Sequence, residues 1–428
     1  MTTTRTSLII VIVCLTCVFS DPHTRAAEPP ASFPNGWPDE KALADLDKKK
    51  TAYHYRESDV PPYQLPDPLL CGDGTRVTSR EQWEQKRRPE TLELFRQNVY
   101  GHSPARGDVS FQVLETDPKA VDGTATRKRV KITSTQQGKS FSFEAWVLTP
   151  NGTKGKVPTF LLINNRGVSS ADPSRKQKDG FWPAEEILAR GYATAVFRTV
   201  DVDPDKDGPA ERAKGVRGVW PMDNSHGDAW ATIAAWAWGA SRVLDYLQTD
   251  PAIDASKVAV IGHSRGGKTA LWAAAQDTRF AMACSNCSGR GGASLARRRM
   301  GETVTRINTS FPYWFCDNYK KYNDNEDACP VDQHQLIALI APRPVYVVDA
   351  ETDFWADPRG EFTALTKASP VYALYDLPGP TNVNEMPPLA TPLVRNHQAY
   401  HIHEGGHNLT PYDWNRYMDF ADKLWRGK

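Results

Sequence analysis

The sequence predicts an α/β domain of three layers, with a mostly parallel central sheet between two layers of helices. Three observations carry this expectation. Four short runs are continuously apolar, Thr159 to Ile163, Ala193 to Phe197, Val258 to Ile261 and Val345 to Val348, as in strands buried on both faces. Helical spacing lies between and after them, at Ala184 to Arg190, Asp228 to Leu247, Lys268 to Gln276 and Tyr412 to Trp425. A glycine-rich turn joins the third run to the helix that follows it. Alternating strands and helices imply right-handed crossovers, which stack helices on both faces of a parallel sheet.

The flanking segments complete this reading in chain order. Arg5 and an apolar run from Leu8 to Phe19, broken only by Thr16, have the form of a secretory signal. The run is too short to span a bilayer, which takes about 20 apolar residues. Cleavage near Ala26 and Ala27 leaves a mature chain from about Glu28, so residues 1–27 are assigned as signal peptide. Residues 28–78, rich in proline and charge, read as an extended lead-in across the surface of a domain spanning 79–428. Ser79 to Tyr100 has helical spacing and stops at Gly101. Phe111 to Thr116, Arg129 to Thr133 and Phe141 to Leu148 then read as an antiparallel edge meander. Two stretches, 201–224 and 293–330, look like insertions over the carboxyl edge of the sheet.

Composition narrows the function classes. Among 428 residues, 52 Lys and Arg nearly balance 51 Asp and Glu. No net field draws the chain to nucleic acid or to an anionic membrane. Beyond the signal segment five cysteines remain, Cys71, Cys284, Cys287, Cys316 and Cys329. An odd number in an oxidising compartment leaves at least one thiol free, and Cys316 with Cys329 is the favoured pair. A lone C-x-x-C at Cys284 and Cys287 is poor evidence for zinc.

Two motifs overlap after the strand at Val258 to Ile261. Gly262, Ser264 and Gly266 form G-x-S-x-G, the strand-turn-helix elbow that exposes a serine hydroxyl in the α/β-hydrolase fold. Gly262, Gly267, Lys268 and Thr269 also satisfy the phosphate-cradling pattern G-x-x-x-x-G-K-[ST], and Asp349 after an apolar strand could serve its magnesium. Context favours the elbow. A secreted chain meets little nucleotide, and the phosphate loop ordinarily follows the first strand of its domain, whereas several strands precede this one.

A serine nucleophile needs a base, and the base needs an orienting acid. In the elbow fold the chain order is serine, acid, histidine. The polar loop after Val345 to Val348 offers Asp353 as acid, with Asp357 second. His407, after two glycines and before the last helix, is placed to fold back over Ser264. His401 and His403 alternate as on a strand and read as structural, so no metal site is expected. Arg297, Arg298 and Arg299 read as a solvated face or salt bridges. Arg198, at the end of a central strand, faces the same edge without an assigned role.

At these residues the chain resembles the glucuronoyl esterases, carbohydrate esterases of family 15. The matching pieces are G-H-S-R-G-G-K around Ser264, S-G-R-G-G-A-S-L-A-R-R after Cys287, G-E-T-V at Glu302, F-P-Y-W-F from Phe311, W-A-D-P-R-G-E-F from Trp355 and E-G-G-H-N-L-T around His407. The match covers about Arg80 to the C-terminus. The resemblance implies Ser264 as nucleophile, His407 as base and Arg265 as donor to the oxyanion. It further implies Lys268 and Glu302 on sugar hydroxyls, Trp355 lining a uronate pocket, and no metal or organic cofactor. The implied substrate is an ester between (4-O-methyl-)glucuronic acid on xylan and a lignin alcohol, cleaved by a monomer.

The pattern of fungal members is not fully kept. Their catalytic Glu of an E-S-G sequence falls at Cys287-Ser288-Gly289, and their bridging cysteines fall at His263 and Asn408. Bacterial members place the acid before W-A-D-P, which supports Asp353, and the 201–224 insertion fits the bacterial pattern. Lys268 on a solvated helix face, Glu302 as an exposed helix residue and Trp355 in the core are the plain structural alternatives. An acetyl xylan or other carbohydrate esterase is the alternative function. A nucleotide-binding protein and a non-catalytic glycan binder are further from the residues.

Overall fold

The structure, a computed structural model, describes residues 40–49 and 53–427. The expected signal segment lies outside the described residues. Among them no helix is long and apolar enough to cross a membrane.

One mixed sheet organises the chain. Its strands are β1 (Asp108–Ala120), β2 (Ala125–Gln136), β3 (Lys139–Pro150), β4 (Val157–Asn164), β5 (Ala193–Arg198), β6 (Ile253–His263), β7 (Met282–Asn286), β8 (Val345–Ala350), β9 (Leu393–Arg395) and β10 (Gln398–His403). The spatial order is β1-β2-β3-β5-β4-β6-β7-β8-β10-β9. The block from β5 to β10 is parallel, while β1, β2 and β3 form the antiparallel meander expected at one edge. All four apolar runs are central strands. This is the α/β-hydrolase fold the elbow motif implied.

Alternation along these strands builds two cores. Leu161 and Ile163 of β4, Val258 and Val260 of β6, and Val345 and Val347 of β8 face one layer. Their neighbours Phe160, Leu162, Ala259, Ile261, Tyr346 and Val348 face the other. A period of two on a doubly covered sheet must divide apolar residues this way. The helices involved are α1 (Arg88–Phe95), α2 (Ala184–Ala189), α3 (Thr232–Leu247), α4 (Arg265–Gln276), α5 (Pro358–Ala373) and α6 (Pro411–Trp425). Residues of α1, α3, α4 and α5 join the first core, and those of α2 and α6 the second.

Several expectations are corrected. The stretch from Arg80 to Tyr100 is not one regular helix: π turns at Trp83–Arg87 and Arg96–Tyr100 flank α1. Pro89 opens α1 without an N–H to donate, so the turn before it closes on a wider ring. α3 begins at Thr232 rather than Asp228, because His102 and Ala231 bond Asp228 and Tyr100 across the gap instead. α5 was not foreseen. Cys316 and Cys329 are not paired: all five described cysteines are free and buried, and burial pushes both of these thiols up to about 12. Both are buried in the 293–330 segment.

The arginine run of that segment is no solvated face. Arg298 is buried on Asp357 at 2.9 Å and Glu57 at 2.5 Å, and Arg299 pairs with Glu326 at 2.8 Å. Glu57 belongs to the lead-in, which also bonds Gly301 through His54 and His334 through Pro66. The lead-in is therefore tied to the 293–330 segment and to the residues just after it.

Candidate active site

Three loops meet at the carboxyl ends of β6, β8 and β10. Between β6 and α4 stands Ser264 at φ 57° and ψ −127°, a conformation costly for a residue with a side chain. The turn is held by Ser264 N on Asn286 O (2.8 Å) and by Gly267 and Lys268 N–H groups on Ser264 O (2.8 and 3.1 Å). A Cβ at Gly262 would lie 1.9 Å from the Gly266 carbonyl oxygen, so the first glycine of G-x-S-x-G is obligatory. Among the described residues the Ser264 hydroxyl has no hydrogen-bond partner, while the Arg265 N–H opens the helix and has no intrahelical acceptor.

The β8 and β10 loops are laced together before they present side chains. Thr352 bonds Gly405 O through both N and Oγ1 at 3.0 Å, and Glu351 N bonds His403 O at 2.9 Å. This brings Asp353 Oδ2 within 2.6 Å of His407 Nδ1. A carboxylate only accepts, so Nδ1 carries the proton and Nε2 is left for another partner. Asp353 is 6% exposed and the His407 side chain 42%. The His407 ring centroid lies 4.4 Å from that of His263, the residue preceding Ser264. The serine elbow, His407 and Asp353 all lie at the carboxyl edge of the sheet.

Asp357, the second choice of acid, is turned away. It caps α5 through Gly360 N at 2.9 Å and holds Arg298. Cys287 lies within 4.8 Å of Asp353 and His407, but burial and then the Asp353 charge raise its thiol pKa, which keeps it neutral.

Beneath the elbow, Lys268 is buried rather than on a solvated face. Its Nζ donates to Ser288 O at 2.6 Å and lies 3.7 Å from Glu302, which is buried in a loop and not on an exposed helix. Burial lowers the Lys268 pKa against the pull of Glu302, and burial raises that of Glu302 against Lys268 and Arg290. Trp355 is half-buried, its edge on Tyr53 at 4.9 Å and Arg306 over its ring at 5.5 Å. Arg265 donates to Asn165 O at 3.0 Å and pairs with Asp205 at 2.6 Å.

Comparison with known proteins now bears on this geometry. A family model described as glucuronyl esterase, fungi, matches residues 132–375. A carbohydrate esterase of an unknown prokaryotic organism is 41% identical over 408 residues, covering 88% of this chain and 93% of the relative. The chain belongs to the glucuronoyl esterase family. The 4-O-methyl-glucuronoyl methylesterase 1 of Wolfiporia cocos is 30% identical over 336 residues, 75% of each chain. A solved glucuronoyl esterase from Solibacter usitatus superposes with a TM-score of 0.79 at 38% identity, covering 86% of this chain and 100% of the other. Another, described as a promiscuous CE15 esterase from a marine bacterial metagenome, has a TM-score of 0.77 at 40% identity, with 87% and 99% covered.

For a glucuronoyl esterase, a carboxylic ester hydrolase, the competing phosphate-loop reading has no support in the geometry. Thr269 Oγ1 turns back to Arg265 O at 2.8 Å, and Asp349 is buried against Tyr400. Sequence reasoning missed other residues around the elbow. His263 donates from Nδ1 to Asn286 Oδ1 at 2.6 Å, because its Nε2 must accept from Arg166 at 3.2 Å, an arginine being only a donor. Burial, then the neighbouring His407 and Arg166, drives the His263 pKa well down. The polar run Asn164-Asn165-Arg166 at the end of an apolar strand was the available signal. Asp205, inside an acidic insertion, offered none.

Proposed function

We propose that this is a secreted serine esterase that cleaves esters of (4-O-methyl-)glucuronic acid in glucuronoxylan–lignin linkages through Ser264, His407 and Asp353. The observation that carries the reading is the 2.6 Å bond from Asp353 to His407 Nδ1, beside a serine held at positive φ. The uronate specificity is supported by the relatives named 4-O-methyl-glucuronoyl methylesterases.

Ser264 Oγ attacks the uronoyl carbonyl carbon as His407 Nε2 takes its proton. The oxyanion collects the Arg265 N–H and guanidinium, at a helix start whose dipole already favours negative charge. Asp353 steadies the imidazolium that forms. Collapse expels the alcohol, which takes the proton from His407, and water activated by His407 then cleaves the acyl-enzyme. Lys268 and Glu302 meet the sugar hydroxyls from the floor, with Trp355 as a wall. The enzyme works as a monomer without metal or organic cofactor.

Purified Ser264→Ala is expected to lose turnover of a glucuronate benzyl ester, and unchanged turnover would refute the nucleophile. Asp353→Ala should cost far more than Cys287→Ala; the opposite order would move the acid to the β7 loop. A second reading, hydrolysis of acetylated xylan, is favoured by the relative described as promiscuous. The triad chemistry alone does not fix the acyl group. Uronate methyl esters and acetylated xylan assayed side by side separate the two.

A further inference from the structure

We infer that Asp205 is the positioning residue for the Arg265 guanidinium, an inference that rests on the proposed role of Arg265 at the oxyanion. An arginine on the first turn of a helix has a long stem with many rotamers, and nothing in its own element fixes where its guanidinium lies. Here its Nε lies 2.6 Å from Asp205 Oδ2 in an ion pair whose N–H is not aligned for a hydrogen bond, its Nη2 donates to Asn165 O at 3.0 Å, and its Cζ lies 5.8 Å from the centroid of the Trp314 ring. Nη1 has no acceptor among the described residues. The guanidinium is thus tied along one side and presents its remaining donors from a fixed place.

The anchor is itself anchored. Asp205 Oδ1 accepts from Tyr313 Oη at 3.0 Å and from Trp314 Nε1 at 2.8 Å, leaving Oδ2 to the arginine. Asp205 belongs to the 201–224 segment, and Tyr313 and Trp314 to the 293–330 segment. The two segments that overhang the sheet edge therefore converge on one carboxylate, 18% exposed, whose free oxygen faces the residue after the serine. Burial and then the Asp205 charge raise the Tyr313 pKa, so that hydroxyl stays a donor. Asp205 acts through Arg265 and makes no contact of its own with the reacting ester.

A double-mutant cycle on a glucuronate benzyl ester tests this. Arg265→Ala is expected to lower kcat by about 10²- to 10³-fold, the usual cost of an oxyanion donor. Asp205→Asn should lower kcat by roughly 10- to 100-fold with KM within about threefold, and should add nothing in the Arg265→Ala background. Tyr313→Phe, which weakens the anchor while keeping its charge, should give a smaller kcat loss that also vanishes in that background. It decides the matter if Asp205→Asn fails to fold. Losses that multiply in the double variants, or wild-type kcat in Asp205→Asn beside an impaired Arg265→Ala, would overturn the inference and leave the Arg265 assignment standing. Wild-type kcat in Arg265→Ala would overturn that assignment and the inference with it.

Discussion

Two histidine–carboxylate arrangements lie a few residues apart in the loop and strand before α6, and they differ in what they leave open. His401 and His403 share one oxygen of Asp413, at 2.8 and 3.0 Å, and all three are buried. Their other nitrogens are spent on Tyr346 Oη (2.9 Å) and Gly406 O (3.3 Å). His407 has the same type of partner but commits one nitrogen, and its ring reaches solvent. The same pair of residue types builds a brace in one place and leaves a ring nitrogen open in the other. Access to the second nitrogen is what separates them.

The largest test removes each imidazole in turn. His407→Ala is expected to lower kcat on a glucuronate ester by about four orders of magnitude with little change in the urea midpoint. His401→Ala should do the reverse, with kcat within about threefold and a clear loss of stability. Comparable kcat losses in both would end the distinction.

Asp413→Ala comes next. It strands two buried imidazoles and dismantles the capping box of α6, where Thr410 and Asp413 bond each other reciprocally. Breaking a buried charged network in this way costs about 3–5 kcal/mol, read by urea unfolding. A cost below about 1 kcal/mol, within the range of exposed ion pairs, would mean that the buried network behaves like a surface one.

A third test concerns the pH slope set by Glu361, a carboxyl that is buried behind the site and accepts from Ser288 Oγ and Gly289 N. Burial pushes its pKa up to about 8, against the pull of those donors. The folded chain therefore holds a proton that the unfolded chain releases above about pH 4.3. Its contribution to stability is full below that pH and is lost as pH rises toward the folded value. Glu361→Gln, which keeps the neutral shape, should flatten the fall in stability between those pH values, by up to about 1.4 kcal/mol per pH unit. Equal slopes in both proteins would place Glu361 among ordinary carboxylates.

What was legible in the sequence follows from locality. Ser264, Asp353 and His407 each sit one turn beyond a strand or just before a helix, so chain order and the glycine pattern single them out as candidates. The continuous apolar runs β4, β5, β6 and β8 advertised burial on two faces. α5 was hidden because Pro370 lies inside it and because its residues are buried almost all round, which erases the amphipathic period. Asp205, Arg166 and the partners of Arg298 were invisible for another reason. Their meaning arises only from contacts across the fold, and a charge in an irregular segment looks the same whether it is solvated or paired. The Cys316 to Cys329 pairing failed on the same ground, since spacing says nothing about whether two sulfurs face each other.

The His263 network has one more effect. Its ring cannot gain a proton unless Arg166 swings away from Nε2, and it lies against His407. Under the proposed mechanism, a companion kept neutral by burial puts no repulsive charge beside the imidazole that would take the serine proton.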